Sequence, residues 1–446
     1  VNVDPGLFKA YDVRGIAGKN LTPELAEAIG RAYVSFLKPK RVAVGRDVRV
    51  SGPELMDGLI RGITAAGCDV VDVGVCTSDA LYFSVANYGF DGGAMVTASH
   101  NPPEWNGFKF CRELAVPLYA NQGIEQIRDL VLSGRFTDAG KPGSVTTKNI
   151  HEDYIKKVLS FGASVPKRTL KVVVDPGNAT AAVFLPKLME YLPFEMTGIN
   201  MELDGTFPGR NPNPLTPGAL KKLGDAVREQ KADVGVAFDA DADRMFLVDE
   251  RGALVYGDVL LTVLAKPFLA REPGVAIVYT AICSRTVPEV VRELGGRPIR
   301  TRVGHAYIKP AMRHENAVLG GEVSGHFFFR DFWYADSGLS AMVTALTYIA
   351  SRDASVSKLV ADVTKYAKSE EINTRVTDIP GTIARIAAAY ANGKHDSLDG
   401  LTVEYSDWWF NVRPSNTEPL LRLNVEASNP DELKRRVGEV LAQIRA

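Results

Sequence analysis

An apolar run that ends in a charged or hydroxyl-bearing residue and leads into a helix recurs along this chain. That alternation restricts the fold to layered α/β domains. Arg41 to Asp47 (RVAVGRD), Asp69 to Val75 and Gly93 to Ala98 read as strands, with a helix at Gly52 to Gly67. Ahead of them, Thr22-Pro23 followed by Leu25, Ala28, Ile29, Ala32, Tyr33 and Phe36 predicts a capped helix. Proline suits its first turn, and the apolar residues share one face. The grammar returns from LKVVVDPG (Leu170 to Gly177) to ADVGVAFD (Ala232 to Asp239), and from GVAIVYT (Gly274 to Thr280) to AVLGGEVSG (Ala317 to Gly325). The last stretch differs, with strand-like EINTRV (Glu371 to Val376), a helix around Ile383 to Ala391, strands around Leu401 to Val412 and Leu420 to Val425, and a helix from Pro430. The expectation is three similar α/β domains at 1–145, 146–250 and 251–367, then a smaller α+β domain at 368–446.

Charge narrows the partners. Lys plus Arg total 52 against 53 for Asp plus Glu, so no global field favours nucleic acid or an anionic membrane, and any anion site must be local. The four cysteines, Cys68, Cys76, Cys111 and Cys283, contain no CxxC pair, which argues against a zinc site or a disulfide framework. Val1 to Asp12 lacks a charged head followed by an apolar run, and no later apolar stretch is long enough to span a bilayer. These features fit an unexported protein of a reducing cytoplasm.

Five segments carry chemistry. In GGAMVTASHNPPEWNGFKF (Gly92 to Phe110) an apolar strand gives way to Ser99-His100-Asn101-Pro102-Pro103, and two prolines forbid regular continuation. Ser99 is expected on a shaped loop, as a turn serine or as a nucleophile. A Ser-His hydrolase is a rival reading, although GxSxG is absent. The strand-like ADVGVAF leads into Asp239-Ala240-Asp241-Ala242-Asp243-Arg244. In an extended segment the three carboxylates face one way and converge, where they repel unless Mg²⁺ or another hard cation binds them. An EF-hand is excluded because Arg244 stands where its loop requires glycine, and the flanks read as strands. A phosphatase with its nucleophile on the first Asp leaves Ser99 and the third Asp unexplained. VGHAYIK places His305 and Lys309 on one face of a helix start, and Glu322, Ser324 and His326 of GEVSGH alternate so as to line one side of an extended segment. Arg413-Pro414-Ser415-Asn416-Thr417-Glu418-Pro419 lies between two strands, as a phosphate cradle or a polar hairpin turn.

FKAYDVRG, TASHNP, DADADR, VGHAYIK, GEVSGH and RPSNTEP, in this order along the whole chain, resemble the phosphomannomutase/phosphoglucomutase family of bacterial α-D-phosphohexomutases. The resemblance implies three related mixed-sheet α/β domains and a smaller fourth domain, heart-shaped around a central cleft, in a monomer or dimer that binds sugar phosphates. It implies reversible phosphoryl transfer between O1 and O6 of mannose phosphates, and of glucose phosphates, through a phosphoserine and a hexose 1,6-bisphosphate that also acts as activator. Carried across, Ser99 matches the phosphoserine, and Asp239, Asp241 and Asp243 match Mg²⁺ ligands, with Ser99 supplying another oxygen. Arg244 resembles the arginine that approaches the reacting groups; Lys109 and His326 resemble general acid/base residues. Tyr11 and Arg14 match residues that line the cleft, His305 and Lys309 match residues around the sugar phosphate, and Glu322 and Ser324 resemble the pair that bonds sugar hydroxyls. Arg413, Ser415, Asn416 and Thr417 match the loop that grips the phosphate not being transferred. The alternatives are a phosphoglucosamine mutase and a Mg²⁺-dependent sugar phosphatase. The chain departs from the family pattern in having Ala240 for a glycine, Ile282 for a lysine, and Ser337 for an aspartate.

Overall fold

The structure, a computed structural model, describes residues 3–137, 139–162, 164–415 and 420–446. The chain divides into two compact units, Val1–Tyr256 with Ser324–Ser357, and Gly257–Val323 with Lys358–Ala446.

In the first unit, the strands Gly92–Val96, Arg41–Arg46, Asp69–Val75 and Val145–Thr147 run parallel to their neighbours, while Trp105–Arg112 returns antiparallel beside Gly92–Val96 and pairs antiparallel with Val13–Ile16. The expected helix at Thr22 is present as Pro23–Leu37, and the Thr22 hydroxyl accepts the Leu25 N–H. It packs with Gly52–Ala65 over a core that includes Leu25, Ile29, Tyr33, Leu59, Ile63, Val44 and Phe110. The second sheet has the order Leu254–Val255, Met245–Asp249, Val234–Phe238, Lys171–Asp175, Glu195–Gly198. Every residue of Val234–Phe238 and Met245–Asp249 is buried, so these strands read as unbroken apolar runs rather than alternating ones. The same unit holds the short pair Phe327–Phe329 and Ala335–Asp336, and the helix Gly338–Ala350, buried over its whole length. An apolar circumference suits such a helix.

In the second unit, Ala276–Thr280 runs parallel to Arg297–Thr301 and to Leu319–Gly321, with helices Gly257–Arg271, Thr286–Glu293 and His305–Glu315 between or before them. The C-terminal part is an antiparallel sheet built on Leu420–Ala427, Trp408–Pro414 and Leu401–Glu404, covered by helices Ile379–Ala389 and Pro430–Arg445. Trp408, Phe410, Val425, Ile386 and Val440 lie in its core. The first of these helices begins four residues before the expected Ile383. Asp378 caps it by accepting the Gly381 N–H, and Pro380 fits its first turn, a signal that apolar spacing alone does not carry. All four cysteines are buried free thiols, and among the described residues no helix is long and apolar enough to cross a membrane.

Candidate active site

Ser99 follows the buried strand Gly92–Val96 and is itself buried, in the left-handed region at φ 50°. A non-glycine residue there carries a cost of about 1–2 kcal/mol, so surrounding contacts must impose it. They come from a fully buried Arg49. Its Nη2 donates to the carbonyls of Ser99 (2.6 Å) and Asn101 (2.7 Å), its Nη1 to those of Pro102 (2.6 Å) and Trp105 (3.0 Å), and its Nε to Asp47 Oδ2 (3.1 Å). The Thr97 hydroxyl donates to the same Asp47 oxygen (2.6 Å) and accepts the Ser99 N–H (2.9 Å). Burial pushes the Asp47 carboxyl up, and Arg49's charge opposes the shift. Sequence reasoning passed over Asp47 and Arg49. Two opposite charges directly behind an apolar strand, in RVAVGRDVR, were the available signal.

The acidic triplet converges, but not because the chain is extended. Asp239 to Asp243 form a turn with Ala242 at φ 56°, and the turn brings one oxygen from each carboxylate within 4.8 Å of the others. Asp239 Oδ2 accepts from Ser99 Oγ (3.1 Å) and from Arg244 Nε (2.8 Å). Asp241 Oδ2 accepts from Ser78 Oγ (2.6 Å) and from Lys109 Nζ (2.7 Å), which also reaches Asp243 Oδ2 at 2.5 Å. The remaining Oδ1 atoms of Asp241 and Asp243 are buried without a hydrogen-bond partner among the described residues. Orphan carboxylate oxygens in a buried turn are costly, and a hard divalent cation such as Mg²⁺ satisfies them. The donor set fits that ion. Burial, helped by the neighbouring Asp243 and Asp241 charges and opposed by Arg244, pushes the Asp239 carboxyl up to about 6. At Asp241 burial acts the same way, but Lys109 and its hydrogen bond outweigh it and hold the carboxyl well below its ordinary value.

Further expected residues stand in the first unit. Lys109 projects from Trp105–Arg112, beside Met95 of the serine strand. His326 forms a backbone bridge with Arg244, and its Nδ1 lies 2.9 Å from Asp336 Oδ2 and 3.8 Å from Asp243 Oδ1. Asp336 is thus a carboxylate that orients the imidazole, unassigned from sequence. Arg14 pairs with Asp12 (2.8 Å) and hydrogen-bonds Asn101 of the serine loop; Tyr11 is half-buried just before it. His100 Nδ1 is 3.3 Å from Ser99 Oγ. The Arg244 charge and burial hold that imidazole well below its usual range, and among the described residues no carboxylate orients it, so a hydrolase triad is absent.

GEVSGH does not line one side of an extended segment. The strand ends at Gly321, and Glu322 to Gly325 turn, with Gly325 at φ 88°. Glu322 belongs to the second unit, whereas Ser324 and His326 belong to the first. Glu322 Oε1 accepts the N–H of Gly304 (2.8 Å), the residue that opens the helix carrying His305 and the fully buried Lys309. Arg413 Nη2 donates to Glu371 Oε2 (2.7 Å), whose other oxygen accepts from Arg422 (2.8 Å); Arg422 also reaches Ser415 Oγ (3.3 Å). Asn416 and Thr417 lie outside the described residues. Of the departures, Ala240 has no left-handed backbone and is free of strain. Beside buried Ile282, Arg285 donates to the carbonyls of Tyr405 (2.6 Å), Ser406 (3.3 Å) and Trp408 (3.3 Å), so its guanidinium is committed to the C-terminal sheet. Ser337 caps Gly338–Ala350 and donates to Asp79 Oδ2 (2.5 Å).

Comparison with known proteins bears on this arrangement. Residues 5–138, 152–252 and 256–366 match the models for phosphoglucomutase/phosphomannomutase alpha/beta/alpha domains I, II and III, and residues 371–443 match the C-terminal domain of the same family. A phosphomannomutase of Escherichia coli is 38% identical over 450 residues, covering 98% of this chain and 99% of the relative. A crystal structure of a phosphoglucomutase/phosphomannomutase family protein from Burkholderia thailandensis superposes with a TM-score of 0.90 at 34% identity, covering 99% of this chain and 97% of that one. The fold alone is shared with N-acetylphosphoglucosamine mutase of Aspergillus fumigatus, solved with GlcNAc-6P and magnesium (TM-score 0.59, 17% identity, 91% of this chain and 83% of that one).

Proposed function

The chain belongs to the phosphoglucomutase/phosphomannomutase family of phosphohexose-isomerising enzymes, and on that premise we propose how its own residues act. It interconverts the 1- and 6-phosphates of mannose, and of glucose, through phosphorylated Ser99 and a hexose 1,6-bisphosphate that also primes the enzyme. The observation that carries this reading is the 3.1 Å contact of Ser99 Oγ with Asp239, inside a turn whose other two carboxylates hold orphan oxygens.

Asp239, Asp241 and Asp243 would hold Mg²⁺ together with an oxygen on Ser99, and when bound the ion would neutralise charge on the phosphoryl oxygens. Every other part falls to side chains. In the first half-reaction the P–Oγ bond of phosphoserine breaks and a P–O bond forms to the free O1 or O6 of the bound monophosphate; the second half-reaction runs the same steps in reverse at the other end of the sugar, breaking its P–O bond and re-forming P–Oγ. The sugar hydroxyl's proton passes to His326, which Asp336 orients at 2.9 Å. Ser99 Oγ leaves with the bonding pair and is protonated by Lys109. Burial opposes the charge on Lys109, but Asp241 and Asp243 hold its pKa well above the ordinary value, so it stands as an ammonium that balances charge until the more basic departing alkoxide takes the proton. Arg244 approaches the transferring group, and Arg14 and Tyr11 order the serine loop and line the cleft. The bisphosphate then turns round, and the other phosphate returns to Ser99.

The phosphate that stays on the sugar is gripped by Arg413, Ser415, Asn416 and Thr417, with His305 and Lys309 beside it, while Glu322 and Ser324 bond sugar hydroxyls. Binding energy from that remote grip serves the transfer step and keeps water from the phosphoserine. Mannose and glucose differ at one stereocentre, so a site that holds hydroxyls away from it accepts both.

Incubating the enzyme with mannose 1-phosphate or glucose 1-phosphate, with and without Mg²⁺ and catalytic bisphosphate, should give 6-phosphates. Ser99→Ala should give none. Release of free phosphate without 6-phosphate product would overturn the assignment, as would a phosphoryl group traced by mass to another residue.

A further inference from the structure

The residues already assigned to chemistry do not explain what sets the spacing between the serine loop and the acidic turn. The two come from sheets of different domains, yet Ser99 Oγ and Asp239 meet at 3.1 Å. Between their supports runs a loop from Asp204 to Arg210. At one side Gly205 lies flush on the backbone that carries Arg49. A Cβ added there would sit 2.3 Å from the Val48 carbonyl oxygen and 2.7 Å from Val50 N, and only glycine fits. Two residues on, the Phe207 ring faces the Arg49 guanidinium at 5.1 Å. The same buried ring shares an apolar cluster with Ala240, the residue between two metal-turn carboxylates, and with Ala179, with Val48 alongside. The loop ends in Arg210, whose Nη2 donates to the carbonyl of Phe238 (2.5 Å), directly before Asp239, and whose Nε donates to Asp175 (2.9 Å).

Phe207 holds φ 54°, a left-handed backbone that a bulky residue takes only when surroundings compel it. Its N–H donates to Asp204 O (3.0 Å), the Asp204 N–H to Asn178 O (2.9 Å), and the Gly209 N–H to Asn178 Oδ1 (2.9 Å), so the bend is fixed from both flanks.

We propose that Phe207 is a positioning residue, a wedge between the Arg49 clamp and Ala240 that fixes the separation of Ser99 from the cation-binding carboxylates. This rests on the reading of Ser99 as phosphoryl carrier and of the acidic turn as the cation site. Removing the wedge lets the two loops approach or slide, which affects the transfer step more than the binding of a sugar phosphate held elsewhere.

The test compares Phe207→Ala, Phe207→Leu and Gly205→Ala with wild type, Ser99→Ala, and Leu188→Ala. Leu188 is a buried core residue on the helix Leu185–Tyr191, outside the apolar cluster around Phe207, so it controls for lost stability alone. For Phe207→Ala and Gly205→Ala, kcat should fall about 10- to 100-fold, the penalty of an ångström-scale misplacement, while KM stays within about twofold. Phe207→Leu, which keeps volume but loses the ring, should lie between them and wild type. Mg²⁺ binding, followed by calorimetry on the phosphorylated proteins, should weaken in the same order. Leu188→Ala should lower the melting temperature with kcat unchanged. If Phe207→Ala does not fold, the other two variants carry the test. Wild-type kcat and Mg²⁺ affinity in the folded wedge variants, with Ser99→Ala inactive, would overturn the wedge alone. Retained mutase activity in Ser99→Ala would instead overturn the reading beneath it.

Discussion

The serine loop and the Arg413 hairpin both read as phosphate-handling segments, and both centre on an arginine, but the two arginines are used in opposite ways. Arg49 spends its guanidinium on the chain itself, on four backbone carbonyls and Asp47. Arg413 donates to Glu371, which it shares with Arg422, and its Nε is buried with no partner among the described residues. The first arrangement leaves nothing to offer a ligand and fixes a geometry. The second leaves a donor unused and a carboxylate partner that an incoming phosphate can compete with. On the proposed mechanism, a reacting atom calls for rigidity, whereas a grip that must accept a sugar in two orientations calls for exchangeable contacts.

The contrast can be broken most severely at Arg49. Arg49→Met leaves Asp47 buried without its cation and strips four carbonyls of their donor. Equilibrium unfolding should show a loss of about 3–5 kcal/mol, and mutase activity should vanish. Arg49→Lys should fail to rescue turnover, because a single ammonium cannot reproduce the fork. Chelation comes next. EDTA should abolish turnover of the wild type and added Mg²⁺ should restore it, with little change in far-ultraviolet circular dichroism, since Lys109 and Arg244 already neutralise part of the acidic turn. Arg413→Lys should behave in the opposite manner to the Arg49 variants. KM for the sugar phosphate should rise about tenfold with kcat nearly kept, as expected when uniform binding is lost, and stability should change by less than about 1 kcal/mol. Equal effects on kcat and KM in both regions would erase the distinction.

The smallest effect belongs to a neighbouring buried group. Burial pushes the Asp79 carboxyl up to about 7, although hydroxyls of Ser337, Thr77 and Tyr154 donate to it and pull the other way. The folded form therefore keeps a proton that the unfolded chain releases near its ordinary value of about 4. The associated stability is complete below that value and is lost as pH rises through about 7. Asp79→Asn should flatten this part of the pH dependence of the melting temperature, and an unchanged slope would refute the assignment.

What could be read from the chain follows the range of the interactions. Strands such as Val234–Phe238 and the capped helix at Thr22 depend on neighbours within a few positions, and composition exposes them. The acidic triplet was legible as a cluster but misjudged in form, because the left-handed turn at Ala242, a residue with no special preference for it, is imposed by packing. GEVSGH failed in the same way at Gly325, where a glycine could have been taken as a turn signal. Arg49, Asp336 and Phe207 acquire their parts only through residues distant in sequence. Arg49 meets the serine loop some fifty positions away, and nothing local in RDVR specifies that. Ser337 shows the converse, since a departure noted from sequence with no stated effect caps a buried helix and holds Asp79.

The saturation of Arg49 has a consequence in time as well as in space. The Ser99 amide, buried and donated to Thr97, has no local opening that would not also strip carbonyls from that arginine. Its hydrogen should exchange with deuterated solvent only when the whole unit unfolds, among the slowest in the protein. Heating should then extinguish catalysis and structure at the same temperature, without an earlier phase in which a folded molecule has lost activity.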